Sequence, residues 1–92
     1  MKLIKVTAVW CMSCIFMNEI LKTVEKENGK LYETIDYDFD MDNKEVAPYS
    51  VGNILPVYIL IDADNNEIAR SIGEKSKKEL AGFLSANGGI EV

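Results

Sequence analysis

Residues 3–14 read Leu-Ile-Lys-Val-Thr-Ala-Val-Trp-Cys-Met-Ser-Cys, an apolar run that leads directly into two cysteines. Residues Leu3–Val9 are rich in β-branched and apolar types and are too few for a core helix, so they predict a central strand. From Ser13 to Asn28 the apolar positions recur at helical spacing, and the glycine that follows is typical of the end of a helix. The sequence therefore predicts a strand, a turn that carries Cys11 and Cys14, and a helix.

The middle of the chain predicts two more strands. Residues Leu31–Phe39 alternate in part between apolar and acidic types and predict a second strand, which a right-handed crossover places parallel to the first. Residues Asp42–Ser50 predict a short helical turn or a loop. The run Val57–Ile61, VYILI, is the strongest signal for a buried strand in the chain.

The C-terminal part predicts a hairpin and a second long helix. The turn-forming residues Asp62–Asn66 join the third strand to Glu67–Ile72, which should pair with it in antiparallel orientation. Ser76 followed by Glu79 has the spacing of a capping box at the start of a helix. The order is βαβ and then ββα, which predicts an α/β fold with one four-stranded mixed sheet flanked by helices.

Composition and charge exclude several classes of function. With 92 residues the chain has room for a single domain, residues 1–92, and without histidine it can build neither a Cys-His pair nor an imidazole zinc site. A net charge of −5 argues against nucleic acids and anionic membranes as partners. The sequence shows neither a signal-peptide cleavage pattern nor a long apolar run, so we expect the protein in the reducing cytoplasm. We also expect a monomer.

Cys11 and Cys14 form a CxxC motif at the predicted start of the helix. Unpaired N–H groups and the helix dipole stabilise a thiolate at this place. A Cys11 thiolate can attack a substrate disulfide, and Cys14, about one turn further on, can attack the mixed disulfide that results. Two alternatives stay open: half of a metal site, completed by a second chain or by carboxylates such as Glu19, and a pair of inert buried thiols.

Residues 10–14, WCMSC, resemble the WCxxC motif of the thioredoxin superfamily. Two later landmarks follow in the order of that family: residues 47–56, APYSVGNILP, resemble the segment leading to its cis-proline, and residues 73–80, GEKSKKEL, resemble its closing glycine and last helix. The resemblance covers residues 3–86. It implies a small thioredoxin-like fold without the N-terminal strand and helix of thioredoxin.

The resemblance implies that Cys11 is the attacking cysteine and Cys14 the resolving one. Met12-Ser13 replaces the Gly-Pro of thioredoxin, which leaves open whether the pair acts as a reductant or as an oxidant. Lys5 falls where thioredoxin has a buried acid, so Lys5 and Ser13 are candidates for tuning the reactivity of the cysteines. The simpler interpretation of Lys5 is a side chain that extends to water.

The same resemblance assigns residues to substrate binding. Trp10 would form a wall of the site, and Leu55-Pro56 would be a cis peptide that offers its backbone to an extended substrate. We add Met12, and also Gly73, because a glycine lets a partner backbone approach closely. A structural role is the alternative for three of them: packing for Trp10, a trans turn for Pro56 and a strand end for Gly73.

Two acidic segments have the appearance of calcium loops but lack essential positions. In the first segment, which begins at Asp36–Asp42, Asn43 occupies the glycine position of a calcium loop and Tyr49 the position of its bidentate glutamate. In the second segment, Asp62–Asn66, the glycine position that follows is occupied by Glu67. We interpret both segments as solvated turns and assign no metal.

We expect a thiol–disulfide oxidoreductase that reduces or exchanges protein disulfides without a bound cofactor. Its redox-active group would be the Cys11–Cys14 disulfide, and a separate reductase or a small thiol would be its electron donor. One alternative is a binding module in which Trp10, Met12 and Leu55 hold a partner and the cysteines do not turn over. Another alternative is a glutaredoxin-like protein that uses glutathione.

Overall fold

Strand β1 (Lys2–Thr7) is an interior strand of the computed structural model, which describes residues 1–91. It pairs in parallel with β2 (Glu33–Asp38) and antiparallel with β3 (Val57–Ile61), which in turn pairs antiparallel with β4 (Glu67–Ile72). The strand order is β2-β1-β3-β4. The predicted four-stranded mixed sheet, with the first strand inside it, is confirmed.

Three helices connect and follow the strands. They are α1 (Met12–Asn28), α2 (Asn43–Val46), which continues into a 3₁₀ turn at Ala47–Tyr49, and α3 (Lys77–Ala86). Among residues 1–91, none of the helices combines the length and the apolar character needed to cross a membrane. The order βαβ and then ββα is confirmed, with α2 and the 3₁₀ turn within the segment predicted as a helical turn or loop.

The bounds of β3 and β4 are those predicted, whereas β1, β2 and the start of α1 differ from the prediction by one or two residues. β1 ends at Thr7 rather than at residue 9, because the carbonyl of Ala8 accepts the N–H of Cys11 at 3.1 Å in the turn before α1. α1 begins at Met12, one residue earlier than predicted, with Cys11 as its N-cap. These differences reflect local hydrogen bonds that hydrophobic periodicity does not register.

One face of the sheet packs against α1 and α3. Three residues of α1, Met17, Leu21 and Val24, follow one another at helical spacing and are buried on this face together with Leu80 and Leu84 of α3. The strands contribute Leu3, Tyr58 and Leu60 to the same cluster. The predicted capping box holds the start of α3, because the Ser76 hydroxyl accepts the N–H of Glu79 and the Glu79 carboxylate accepts the N–H of Ser76.

The opposite face carries the cysteines at one end and has a thinner cover. Ile4, Val6, Ile59 and Ile61 lie on it, and α2, the 3₁₀ turn and the segment before β3 pack over part of it. β3 is buried on both faces along its whole length, which explains why VYILI reads as a continuous apolar run.

Candidate active site

Cys11 stands at the junction of β1 and α1. It caps the helix with extended backbone, and its Sγ accepts the N–H of Cys14 at 3.2 Å. Sulfur is therefore placed against an N–H group that has no partner within the helix, where a negative charge is stabilised. Cys11 and Cys14 are both unpaired thiols in the structure, and Cys11 is 8% exposed.

Cys14 lies deeper in the protein, where it is 2% exposed. Burial and the hydrogen bond with Cys11 raise the pKa of the Cys14 thiol from 9.0 to about 12, although the backbone of Ala8 offsets part of the effect. Cys11 and Cys14 belong to one apolar cluster with Ala8, Leu55 and Val57. A buried thiol of this kind keeps its proton at neutral pH.

Trp10 is fixed on the outside of the site by Asp40 and Phe39. Its Nε1 donates to Oδ2 of Asp40 at 2.7 Å, and its ring meets the ring of Phe39 edge to face at 6.5 Å between centroids. More than half of its surface is nevertheless exposed. Trp10 therefore presents an oriented indole beside Cys11 rather than a core side chain, and Asp40, which the sequence analysis considered only as a calcium ligand, is its partner.

The segment before β3 reaches the cysteines from the other side of the turn. The Leu55-Pro56 peptide bond is cis, as the resemblance implies, and Leu55 packs in the same cluster as both cysteines. The N–H of Gly73 donates to the carbonyl of Pro56 at 2.9 Å, so the end of β4 lies next to this segment. Leu55, Pro56 and Gly73 are thus brought together with the cysteines from distant parts of the chain.

The backbone of Gly73 requires glycine. Its φ is +83°, in the left-handed region that side chains disfavour, and a Cβ built on it would lie 3.2 Å from Cγ2 of Ile54. The close contact and the positive φ together account for the residue independently of any role in substrate binding.

Lys5 forms an ion pair with Asp36 of the neighbouring strand. Its side chain is 13% exposed, and its Nζ lies 3.3 Å from Oδ1 of Asp36, the residue beside it on β2. Lys5 alternates with Leu3 and so lies on the face toward α1, opposite Tyr58 of β3. The contacts therefore associate Lys5 with Asp36 rather than with Cys14, and its tuning role stays a prediction.

The first turns of α1 contain Met12 and Ser13, which the sequence analysis named as candidates, and two apolar residues that it did not name. Met12, the first residue of the helix, is largely exposed, and Ser13 is half-buried in the same turn. Ile15 and Phe16, which the sequence analysis did not single out, are also exposed. Helical spacing could have found them, because both fall on the side of α1 opposite to Met17.

The acidic segments serve as turn supports. Oδ1 of Asp38 accepts the N–H groups of Asp40 and Met41, and Oδ1 of Asp62 accepts those of Asp64 and Asn66. Within residues 1–91 no group of three or more cysteine or carboxylate side chains is arranged to hold a metal ion. The hydrogen bonds are those expected of Asp residues in turns.

Comparisons with known proteins find similarity at the level of structure. No protein-family model matches the sequence, and no curated protein matches it. The structure is similar to thioredoxin-2 of a malaria parasite, with a TM-score of 0.78, 22% identity and coverage of 92% of this chain and 81% of the other.

Two further thioredoxins have a similar structure. Thioredoxin 1 from Thermosipho africanus superposes with a TM-score of 0.75 at 21% identity, over 94% of this chain and 92% of the other. The thioredoxin of Schistosoma mansoni superposes with a TM-score of 0.76 at 15% identity, over 92% of this chain and 76% of the other. Together with the CxxC turn and the cis-proline, these similarities show that the chain has the thioredoxin fold.

Proposed function

We propose that the protein is a thiol–disulfide oxidoreductase that reduces or exchanges protein disulfides through Cys11 and Cys14. The observation that carries the proposal is the Cys11 Sγ at the N-terminus of α1, hydrogen-bonded to the N–H of the residue that would resolve it. A helix N-terminus favours the charged form of a cysteine, and the thiolate is the form that attacks disulfides.

The reaction is a two-electron exchange between two sulfur pairs. The Cys11 thiolate attacks one sulfur of the substrate disulfide, forms a mixed disulfide and releases the other substrate sulfur as a thiolate. Cys14 then loses its proton and attacks Sγ of Cys11, which releases the second substrate sulfur. The protein ends as the Cys11–Cys14 disulfide and the substrate as a dithiol, once the released sulfurs have taken up protons.

The proton of Cys14 needs an acceptor, because burial, which persists when Cys11 is held in the mixed disulfide, raises the pKa of this thiol. The chain contains no histidine, and no carboxylate contributes to the pKa of Cys14. We infer that the substrate thiolate released in the first step is the acceptor, since its ordinary pKa of about 8.5 makes it the strongest base then present at the site. The second step would therefore depend on the identity of the substrate.

Residues on both sides of Cys11 would hold the substrate. Trp10 and Met12, the neighbours of Cys11 in the chain, expose apolar surface. Leu55 packs with both cysteines, and Pro56, which is hydrogen-bonded to Gly73, would extend the site on that side. An extended segment bound against the backbone of Leu55 would bring its disulfide toward Cys11. Ser13 and Lys5 stay candidates for tuning.

We further propose that the protein works as a single domain, monomeric and cytoplasmic, without a bound cofactor. A reductase or a small thiol would reduce the Cys11–Cys14 disulfide back to the dithiol, and a reducing compartment supplies such donors. The net charge of −5 supports a protein substrate rather than a nucleic acid or an anionic membrane.

Redox titration of the purified protein in thiol buffers, read by mass spectrometry, tests the proposal. We expect a reversible intramolecular disulfide with a potential between about −270 mV, typical of a reductant, and about −120 mV, typical of an oxidant. Cys14→Ser should accumulate the mixed disulfide at Cys11, whereas Cys11→Ser should form none. Absence of a reversible disulfide across this range would refute the proposal.

The exposed apolar surface of Trp10 and Met12 also fits a binding module without turnover. The oxidoreductase requires the sulfur of Cys11, whereas the binding module does not. If a Cys11→Ser protein retains full function in cells, the binding module is correct, whereas loss of function in that variant supports the oxidoreductase.

A further inference from the structure

Three apolar side chains form a ridge on the outer side of α1, next to the cysteines. Met12, Ile15 and Phe16 are 67%, 56% and 57% exposed, and their spacing of three and four residues puts them on one side of the helix. We name Met12, Ile15 and Phe16 the α1 ridge. It begins at the residue that directly follows Cys11.

The α1 ridge does not contribute to the hydrophobic core. The opposite side of α1 already supplies Met17, Leu21 and Val24 to the core. Further along the outer side the exposed residues are polar, as at Thr23 and Lys26, which is the usual composition of a solvated helix face. Apolar exposure is thus restricted to the turns of α1 that border the sulfur, which indicates a contact surface.

Charge around the α1 ridge indicates what it contacts. Residues 7–21, 37–43 and 50–57, which contain the cysteines, the partner of Trp10 and the cis-proline, include no lysine or arginine. Lys75 follows Gly73 and meets the buried side of α1, where its N–H donates to Sδ of Met17. Asp40 lies against Trp10, and Asp38 and Asp42 share its turn. On the side of Trp10 the surroundings of Cys11 are therefore apolar and acidic, which suits basic groups and repels carboxylates.

We propose that the α1 ridge binds the polypeptide next to a substrate disulfide, and that the preferred substrates are protein disulfides flanked by apolar and basic side chains. This inference rests on the proposed oxidoreductase function and adds a substrate class to it. Glutathione disulfide, which is rich in carboxylates and poor in apolar surface, is a poor substrate on the same grounds.

Single-turnover reduction by the protein in its dithiol form tests the inference. The probes are two peptides of equal length with the same internal disulfide, one flanked by leucine and lysine and the other by leucine and glutamate, together with glutathione disulfide and the small neutral hydroxyethyl disulfide. Samples are quenched with acid, and product is counted by mass spectrometry. In each reaction the disulfide of the probe gains the two electrons that Cys11 and Cys14 lose on forming their disulfide, and it takes up two protons to give thiols.

We expect the leucine-lysine peptide to react about tenfold faster than the leucine-glutamate peptide or glutathione disulfide. In the double variant Ile15→Ser/Phe16→Ser, the rate on the leucine-lysine peptide relative to hydroxyethyl disulfide should fall about tenfold, because two apolar contacts are lost. The matched control Thr23→Ala/Lys26→Ala changes the same side of α1 farther along and should leave the ratio unchanged.

Equal rates on the two peptides, or an unchanged ratio in the Ile15→Ser/Phe16→Ser variant, overturn the inference and leave the proposed function intact. The peptide comparison uses the unmodified protein, so it does not depend on the folding of a variant. If the dithiol protein reduces none of the four probes and its disulfide form oxidises none of the corresponding dithiols, the proposed function fails and the inference fails with it.

Discussion

Raising the pH should destabilise the dithiol form of the protein through Cys14. Because burial raises the pKa of this thiol from 9.0 to about 12, the folded state binds the Cys14 proton more tightly than the unfolded state does. The stability that this provides is fully present below pH 9 and is lost progressively as the pH rises from 9 toward 12. The sign is that of a neutral acid buried in its protonated form.

The magnitude follows from the two pKa values. Each unit of pH between them costs about 1.4 kcal/mol, so at pH 10 the free energy of unfolding should have fallen by about 1.4 kcal/mol on account of Cys14 alone. Tyr32 and Tyr58, whose pKa values burial also raises from 10.0, begin to contribute as the pH approaches 10. A variant without the Cys14 thiol is therefore needed to separate the contribution of Cys14 from theirs.

Urea denaturation of the dithiol protein and of Cys14→Ser, in a non-thiol reductant from pH 7 to pH 10, measures the effect. The variant keeps Tyr32 and Tyr58, so the difference between the two free energies of unfolding cancels most of the tyrosine contribution. That difference should change by about 1.4 kcal/mol between pH 8 and pH 10. Parallel curves over this interval would show that Cys14 titrates normally in the folded protein and would refute the reasoning.

Three further perturbations have expected outcomes. Gly73→Ala should destabilise the protein by about 1–3 kcal/mol in urea denaturation because of its positive φ and its close contact, whereas Gly82→Ala, with open space around it in α3, should be neutral or stabilising. Ser76→Ala should cost about 1 kcal/mol, since it removes the cap of α3; an unchanged urea midpoint would contradict this. Lys5→Met should leave the pKa of Cys14, followed by NMR, within about 0.3 units, because a carboxylate on the neighbouring strand offsets the lysine charge, and an upward shift near one unit would instead establish tuning by Lys5.

The sequence was sufficient for the order and type of the elements because those signals are local. Period-two and helical spacing of apolar residues, the turn chemistry of Asp62–Asn66 and the Ser76 capping box each act within a few residues of the chain. The position of Cys11 at a strand-to-helix turn follows from the same signals. Boundaries were less accurate because single hydrogen bonds, such as that from Cys11 to Ala8, decide them.

The candidate site was only partly predictable. The cis-proline segment and Gly73 could be associated with the cysteines through the resemblance to thioredoxins, but nothing local connects them. Asp40 was missed as a partner of Trp10, because the two residues are 30 positions apart and meet only when β1 and β2 lie side by side. Ile15 and Phe16 were missed although helical spacing puts them on the side of α1 away from Met17, because no local signal shows that this side stays uncovered.

By itself, then, the sequence determined the strands, the helices and the CxxC turn, since these depend on interactions between near neighbours. Tertiary structure decided three other properties: the pairing of Lys5 with Asp36, the burial that raises the pKa of Cys14, and the side of α1 that stays exposed. Each depends on which distant segments the sheet brings together. Strand register and helix packing set those distances, and neither can be read from residues adjacent in the chain.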